Sequence, residues 1–222
     1  MILAAGRGER MRPLTQHTPK PLLKVGGKAL IEYHLENLAA AGFKEVVINI
    51  AYLGEQIRDA VGDGKAWELA IEYSVEPEPL ETAGAILHAM PLLGEQPFVL
   101  VNGDIWTDYP LATLTEKKLY SQLGYLVLVD NPPHHSEGDF SMANGCLQGK
   151  NQHNFTYSGI SLLHPSLITQ YPKKRQRFPL GEVFRASLNQ QCLGAELYRG
   201  QWWDIGTTDR LYYLNEKLSK SS

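Results

Sequence analysis

Two cysteines, Cys146 and Cys192, are the only thiols in 222 residues. So few exclude a disulfide-stapled scaffold and point to a reducing compartment, and their spacing forms no zinc-binding pattern. No apolar run reaches the roughly 18 residues needed to span a bilayer. The N-terminus does not read as a secretory leader either, because Arg7, Arg10, Arg12 and Pro13 interrupt it. A cytoplasmic protein with no membrane partner is expected. Internal repeats and low-complexity tracts are missing, and a chain of this length can bury roughly 70–75% of its unfolded surface in one domain. Two familiar phosphate motifs are missing as well. No G-x-x-x-x-G-K-[ST] occurs, which excludes a P-loop. Gly6-x-Gly8 is followed by Arg10-Met11 rather than a third glycine, and Pro13, Pro19 and Pro21 forbid a regular helix there, which excludes the dinucleotide fingerprint.

What is present is a basic, glycine-opened loop over residues 2–24. Ile2 to Ala5 read as the end of a buried strand, and Met1 stands so close to the turn that this strand is expected to lack residues at its start. Gly6 and Gly8 let the backbone turn and present N–H groups. Arg7, Arg10, Arg12, Lys20 and Lys24 against Glu9 give the stretch +4, leaving −7 on the rest of a chain of net charge −3. A compact cationic loop on an acidic protein suits a polyphosphate better than a nucleic-acid backbone, which the acidic remainder would repel.

Beyond the loop, strands and helices alternate. Helices are expected from Leu30 to Leu38 (ending at Gly42), near 53–61, from Ala83 to Met90 before Pro91, from Phe178 to Leu188 and from Thr207 to Leu218. Strands are expected at Glu45–Ile50, Ala70–Val75, Phe98–Val101, Tyr125–Val129, Tyr157–Leu163 and Leu193–Tyr198, with an irregular stretch from Asn131 to about Asn154. The expected fold is α/β: a doubly wound, mixed but mostly parallel sheet, with ligands at the carboxyl ends of its strands and a smaller lid subregion. The whole chain, 1–222, is read as one domain of two halves, 1–124 and 125–222.

Gly6-x-Gly8-Glu9-Arg10-Met11-Arg12-Pro13-Leu14-Thr15, followed by Thr18-Pro19-Lys20-Pro21-Leu22, resembles the signature loop of the sugar-1-phosphate nucleotidylyltransferases. That family joins a nucleoside triphosphate to a sugar 1-phosphate and releases pyrophosphate. The resemblance implies a Rossmann-like fold and Mg²⁺ as cofactor, held by Asp104 after Val101-Asn102-Gly103 and by Asp204 in Trp203-Asp204-Ile205-Gly206-Thr207. Taken alone, these two read as turn carboxylates. It implies that Lys20, Arg10 and Arg12 act on the phosphates, and that Ala5, Gly6, Gly8, Glu9, Arg10, Lys20, Glu81, Gly84 and Asn102 bind the nucleotide. Within Leu80–Ala85, backbone groups would read the base, while Thr82 also reads as a helix cap. Gly138, Asp139, Ser158 and Gly159 would face the sugar, so that 1–124 would be mainly the nucleotide-binding half and 125–222 mainly the sugar-binding half.

The segments 130–140 and 102–109 are closest to the branch that uridylylates N-acetylmuramate 1-phosphate. UTP and a sugar 1-phosphate are therefore the expected partners, and a monomer is consistent with the sequence. A guanylyltransferase acting on mannose 1-phosphate is the alternative enzyme, and a non-catalytic nucleotide-binding module the alternative class. Such a module would be expected to lose Lys20, Asp104 or Asp204, and all three are here. The chain departs from many relatives in having no Glu-Lys-Pro before Gly159, where Lys150 is the nearest substitute. It also lacks the hexapeptide-repeat tail of bifunctional relatives, which favours a single activity. Adjacent His134 and His135 read as solvated rather than as a metal site. The run Lys173–Arg177 reads as a solvated face or as a seat for the sugar's carboxylate.

Overall fold

The computed structural model describes residues 1–188 and 193–219. The chain gathers into two compact units. One comprises residues 1–79, 102–115 and 201–222, the other 80–101 and 116–200. Elements are numbered along the chain.

In the first unit β1 (Ile2–Leu3), β4 (Glu45–Ile50) and β5 (Ala70–Val75) lie parallel in the order β5-β4-β1. Val46 to Ile50 are all buried, the near-continuous apolar run of a strand covered on both faces. Between them run α1 (Leu30–Ala40) and α2 (Gly54–Val61). Leu30, Ile31, His34, Leu35 and Leu38 form the buried stripe of α1, and the Glu32 carboxylate accepts the Ala29 N–H at 2.6 Å to cap its start. Two short ladders complete the unit. β2 (Lys24–Val25) pairs with β3 (Lys28–Ala29) through Gly26-Gly27, both at positive φ, which suits a two-residue hairpin. β7 (Ile105–Thr107) pairs antiparallel with β13 (Trp202–Asp204). The short helix α4 (Ala112–Thr115) and α7 (Thr208–Ser219) follow these strands.

In the second unit, β6 (Phe98–Asn102), β8 (Gly124–Val129), β9 (Ser141–Ala143), β10 (Cys146–Gln148), β11 (Thr156–Leu163) and β12 (Leu193–Tyr198) are ordered β6-β11-β8-β12-β10-β9. β11 runs antiparallel to both neighbours, while β12 is parallel to β8, so the sheet is mixed as expected. The helices here are α3 (Glu81–Leu93), α5 (Ser166–Thr169) and α6 (Leu180–Ser187).

Two expectations are corrected. α3 does not stop before Pro91 but runs on to Leu93, with the Gly94 N–H bonded to the Met90 carbonyl. Proline removes its own N–H from the ladder and crowds the carbonyl four residues back, a disturbance confined here to the last turn of the helix. The stretch 131–154 is also less irregular than expected, since β9 and β10 form a hairpin around Asn144-Gly145, both at positive φ. Cys146 is a free thiol, and Cys192 lies outside the described residues. No helix among the described residues is long and apolar enough to cross a membrane.

Candidate active site

The basic loop begins where β1 ends. The Ala4 N–H is held by the Asn49 side chain at 2.8 Å, and Asn49 in turn donates to the buried Glu76 at 2.7 Å, which ties the loop's origin to the neighbouring strand ends. Gly8 sits at φ 62, ψ 32, and its carbonyl accepts both the Met11 N–H and the Thr15 hydroxyl. A Cβ at Gly8 would stand 2.8 Å from the Thr15 methyl, so both conformation and space demand glycine. Gly6 is different. It has no heavy atom within 4 Å of its would-be Cβ and no left-handed φ, so the fold does not require a glycine there.

This contrast yields a prediction. Gly6→Ala is expected to melt like the parent yet bind nucleoside triphosphate ~10-fold more weakly if a phosphate approaches that backbone. Gly8→Ala is expected to lose ~1–3 kcal/mol of stability as well. Thermal melts beside nucleotide titrations separate the two.

Pro19 and Pro21 flank Lys20 in a tight turn that aims its side chain inward. The Lys20 side chain is 10% exposed, and its ammonium lies 2.6 Å from the carboxylate of Asp104, whose side chain is 43% exposed. Asp104 occupies the turn between β6 and β7, where the Gly103 N–H bonds the Leu3 carbonyl at 2.8 Å. Asp204 ends the partner strand β13 and pairs in register with Ile105, and the Ile205 N–H donates to the Asp104 carbonyl at 2.7 Å. Two acids a hundred residues apart therefore stand one step apart on a single ladder. Asp204 in turn accepts from Arg210 of α7, a residue that the sequence reading missed because it looks like an ordinary first-turn arginine.

Apolar residues placed between the charged ones hold these segments together. Met11, between Arg10 and Arg12, and Ile205, between Asp204 and Gly206, are buried in one cluster with Leu23, Val25, Leu30, Leu211 and Leu214. Arg10 reaches Gly206, where a Cβ would lie 3.2 Å from its Nη2. Arg7, Arg12 and Glu9 are exposed, and Ala5 is buried.

His34 of α1 is 2% exposed, and its Nε2 finds no hydrogen-bond partner. Burial outweighs the favourable charge of Asp104 and a hydrogen bond with the Ile105 backbone, bringing its pKa from 6.5 down to about 4. The folded protein thus keeps this ring neutral, while the unfolded chain protonates it below about 6.5. Stability is expected to fall as pH drops from 6.5 towards 4, by up to ~3 kcal/mol, and then to level off for this group. Denaturant melts at pH 7 and pH 5 should show a flatter acid limb for His34→Leu.

In the second unit the residues that the resemblance assigns to base and sugar are engaged within the chain. Glu81 adopts φ 61, rare for a residue with a side chain, and pairs with Arg177 at 3.2 Å. Gly84 donates its N–H to the Phe178 carbonyl, and a Cβ there would lie 2.5 Å from the Gln176 carbonyl, so packing demands this glycine. Thr82 does not cap α3. Leu80 holds that position, and the Thr82 hydroxyl accepts the Leu180 N–H at the start of α6. Gly138 is at φ 61 against Asn131, and Gly159 at φ 85. Asp139 pairs with His135 at 3.0 Å and accepts the Tyr157 N–H, while Ser158 donates to the Val127 carbonyl. Lys150 lies 3.9 Å from Glu137. In the basic run, Arg175 forms a two-bond pair with Glu182, and Lys174 donates to the Thr169 carbonyl.

Cations and carboxylates gathered at strand ends of an α/β domain are the groups that phosphate chemistry calls for. The chain belongs to the nucleotidyl transferase family, whose model matches residues 1–221. It is 47% identical over 220 residues to the N-acetylmuramate alpha-1-phosphate uridylyltransferase of Neisseria meningitidis serogroup B, a match covering 95% of this chain and 94% of that protein. A mannose-1-phosphate guanyltransferase of Aspergillus fumigatus is 32% identical over 243 residues, covering all of this chain and 66% of its own length. Among solved structures, a Bacillus anthracis chain in complex with sucrose superposes with TM-score 0.87 at 20% identity, over 98% of this chain and 93% of the other. HddC from Yersinia pseudotuberculosis gives 0.79 at 24% identity, over 97% of each. These likenesses establish the Rossmann-like α/β fold.

Proposed function

We propose that this protein transfers UMP from UTP to N-acetylmuramate 1-phosphate, giving UDP-N-acetylmuramate and pyrophosphate, as a cytoplasmic enzyme of cell-wall peptidoglycan recycling. The observation that carries the chemistry is the Lys20–Asp104 pair at the head of the basic loop, with Asp204 one ladder step away. The near full-length likeness to a uridylyltransferase supports the substrates.

The sugar phosphate is already anionic at neutral pH, so no general base is needed. The protein must instead hold two anions collinear and offset their repulsion. Lys20 is stiffened by its prolines and enclosed, so its ammonium supplies charge to the α-phosphate without reorganising. Arg10 and Arg12 would grip the outer phosphates through forked donors, with the N–H groups of Gly6 and Gly8 beneath them. Glu9, Ala5, Asn102, Glu81 and Gly84 would bound the nucleotide, and Gly138, Asp139, Ser158 and Gly159 the sugar.

Family members generally use a divalent cation. The two carboxylates here offer hard oxygen donors on adjoining strands, which suits Mg²⁺. Asp104 and Asp204 would hold that ion, which when bound neutralises charge between the α-phosphate and the sugar phosphate.

Pyrophosphate release measured for UTP and GTP against N-acetylmuramate 1-phosphate and mannose 1-phosphate tests this reading. UTP with the muramate is expected to give the highest kcat/KM, and a preference for GTP with mannose 1-phosphate overturns it.

A further inference from the structure

Arg210 lies in the first turn of α7, where a helix dipole disfavours a cation. It does not extend into solvent. Its Nη1 donates to Asp204, its Nε lies 3.3 Å from the Thr207 hydroxyl, and the side chain is 18% exposed. The guanidinium is laid across Gly206, where a Cβ would stand 2.3 Å from Arg210 Nη2 and 3.2 Å from Arg10 Nη2. Two guanidiniums thus crowd over the one residue whose lack of a side chain admits them. Arg10 arrives there from the other end of the chain, anchored by Met11 in the same apolar cluster as Ile205. Like charges held this close are costly in the absence of an anion between them, and two forked donors match the oxygens of a diphosphate.

We infer that Arg210 is a pyrophosphate-binding residue, and that with Arg10 it forms a two-guanidinium seat for the β- and γ-phosphates and for the pyrophosphate that leaves. The inference rests on the nucleotidyl-transfer reading above. Asp204 holds the Arg210 fork over Gly206 until phosphate arrives. A lysine would match two phosphate oxygens less well, because it offers a point charge in place of a planar fork.

The test uses the full chain and inorganic pyrophosphate in isothermal titration calorimetry, with Mg²⁺ and with EDTA, for the parent, Arg210→Gln and Arg210→Lys, with melting curves to show folding. Arg210→Gln is expected to weaken pyrophosphate binding ~10-fold or more, the loss of one charge-assisted forked contact, and to raise KM for UTP in parallel. KM for the sugar phosphate should stay within about twofold, and Arg210→Lys should recover only part of the loss. Parental pyrophosphate affinity in a folded Arg210→Gln protein, with only kcat reduced, would show that the residue merely orients Asp204 and overturns the inference. Failure of the parent to bind pyrophosphate does so too. Should the parent bind pyrophosphate in an Arg210-dependent way but turn over no substrate pair, the seat stands and the transferase reading falls.

Discussion

Asp104→Ala is expected to lower kcat/KM for nucleotidyl transfer at least ~100-fold, on the order of 3 kcal/mol of transition-state stabilisation. The carboxylate is shared between two duties. In the proposed reading it would offer oxygen donors beside the β7–β13 ladder, and it is the partner of a lysine whose side chain is only 10% exposed. Its loss leaves Lys20 enclosed and unpaired, so a drop of ~1–3 kcal/mol in stability should accompany the loss of rate. Lys20→Met removes the buried charge and leaves Asp104 half in water. That variant should lose a similar factor in rate while melting close to the parent. Because the two side chains act as a unit, the double variant should be far less impaired than the product of the single losses. Pyrophosphate release and thermal melts on all four proteins decide the matter, and near-parental turnover by Asp104→Ala would discard the assignment.

Gly103→Ala is expected to be nearly as damaging without touching a charge. A Cβ there would lie 2.6 Å from the Leu3 carbonyl, which also accepts the Gly103 N–H. Backbone blocks the new methyl on a residue already bonded to that backbone, so no rotamer relieves the clash. The turn must back away from β1, and a shift of about 1 Å at a positioned group can cost ~100-fold in rate. A stability loss of ~1–3 kcal/mol should lower Tm by several degrees in a chain of this size. Gly149→Ala is the control, since its Cβ would meet only Leu188 at 3.8 Å and should change neither quantity. Equal behaviour of the two variants would refute the argument.

The alternation of strands and helices was readable because buried parallel strands such as Val46–Ile50 are apolar but for Asn49 and α1 repeats its apolar positions at helical spacing. The loop was readable from Gly8, the prolines and the cations. The meeting of Lys20, Asp104 and Asp204 was not. No local pattern encodes a contact across 84 residues, and it was expected only through the family resemblance. The β7–β13 ladder escaped notice because three-residue strands carrying tryptophans and an acid show no clean alternation. Arg210 escaped because the role inferred for it depends on Gly206 and on an arginine 200 positions earlier. The β9–β10 hairpin was within reach, since Asn-Gly is the strongest short hairpin signal, but it sat inside a segment dominated by proline, histidine and glycine.

Met11 and Ile205 each sit between two polar or glycine neighbours that belong to the proposed site, and both are sunk in one greasy cluster. Shrinking either side chain would slacken both the cationic loop and the acidic strand end at once. A mutational survey scored by turnover alone would consequently rank this methionine and isoleucine among the reacting groups, although neither carries a charge to offer a substrate.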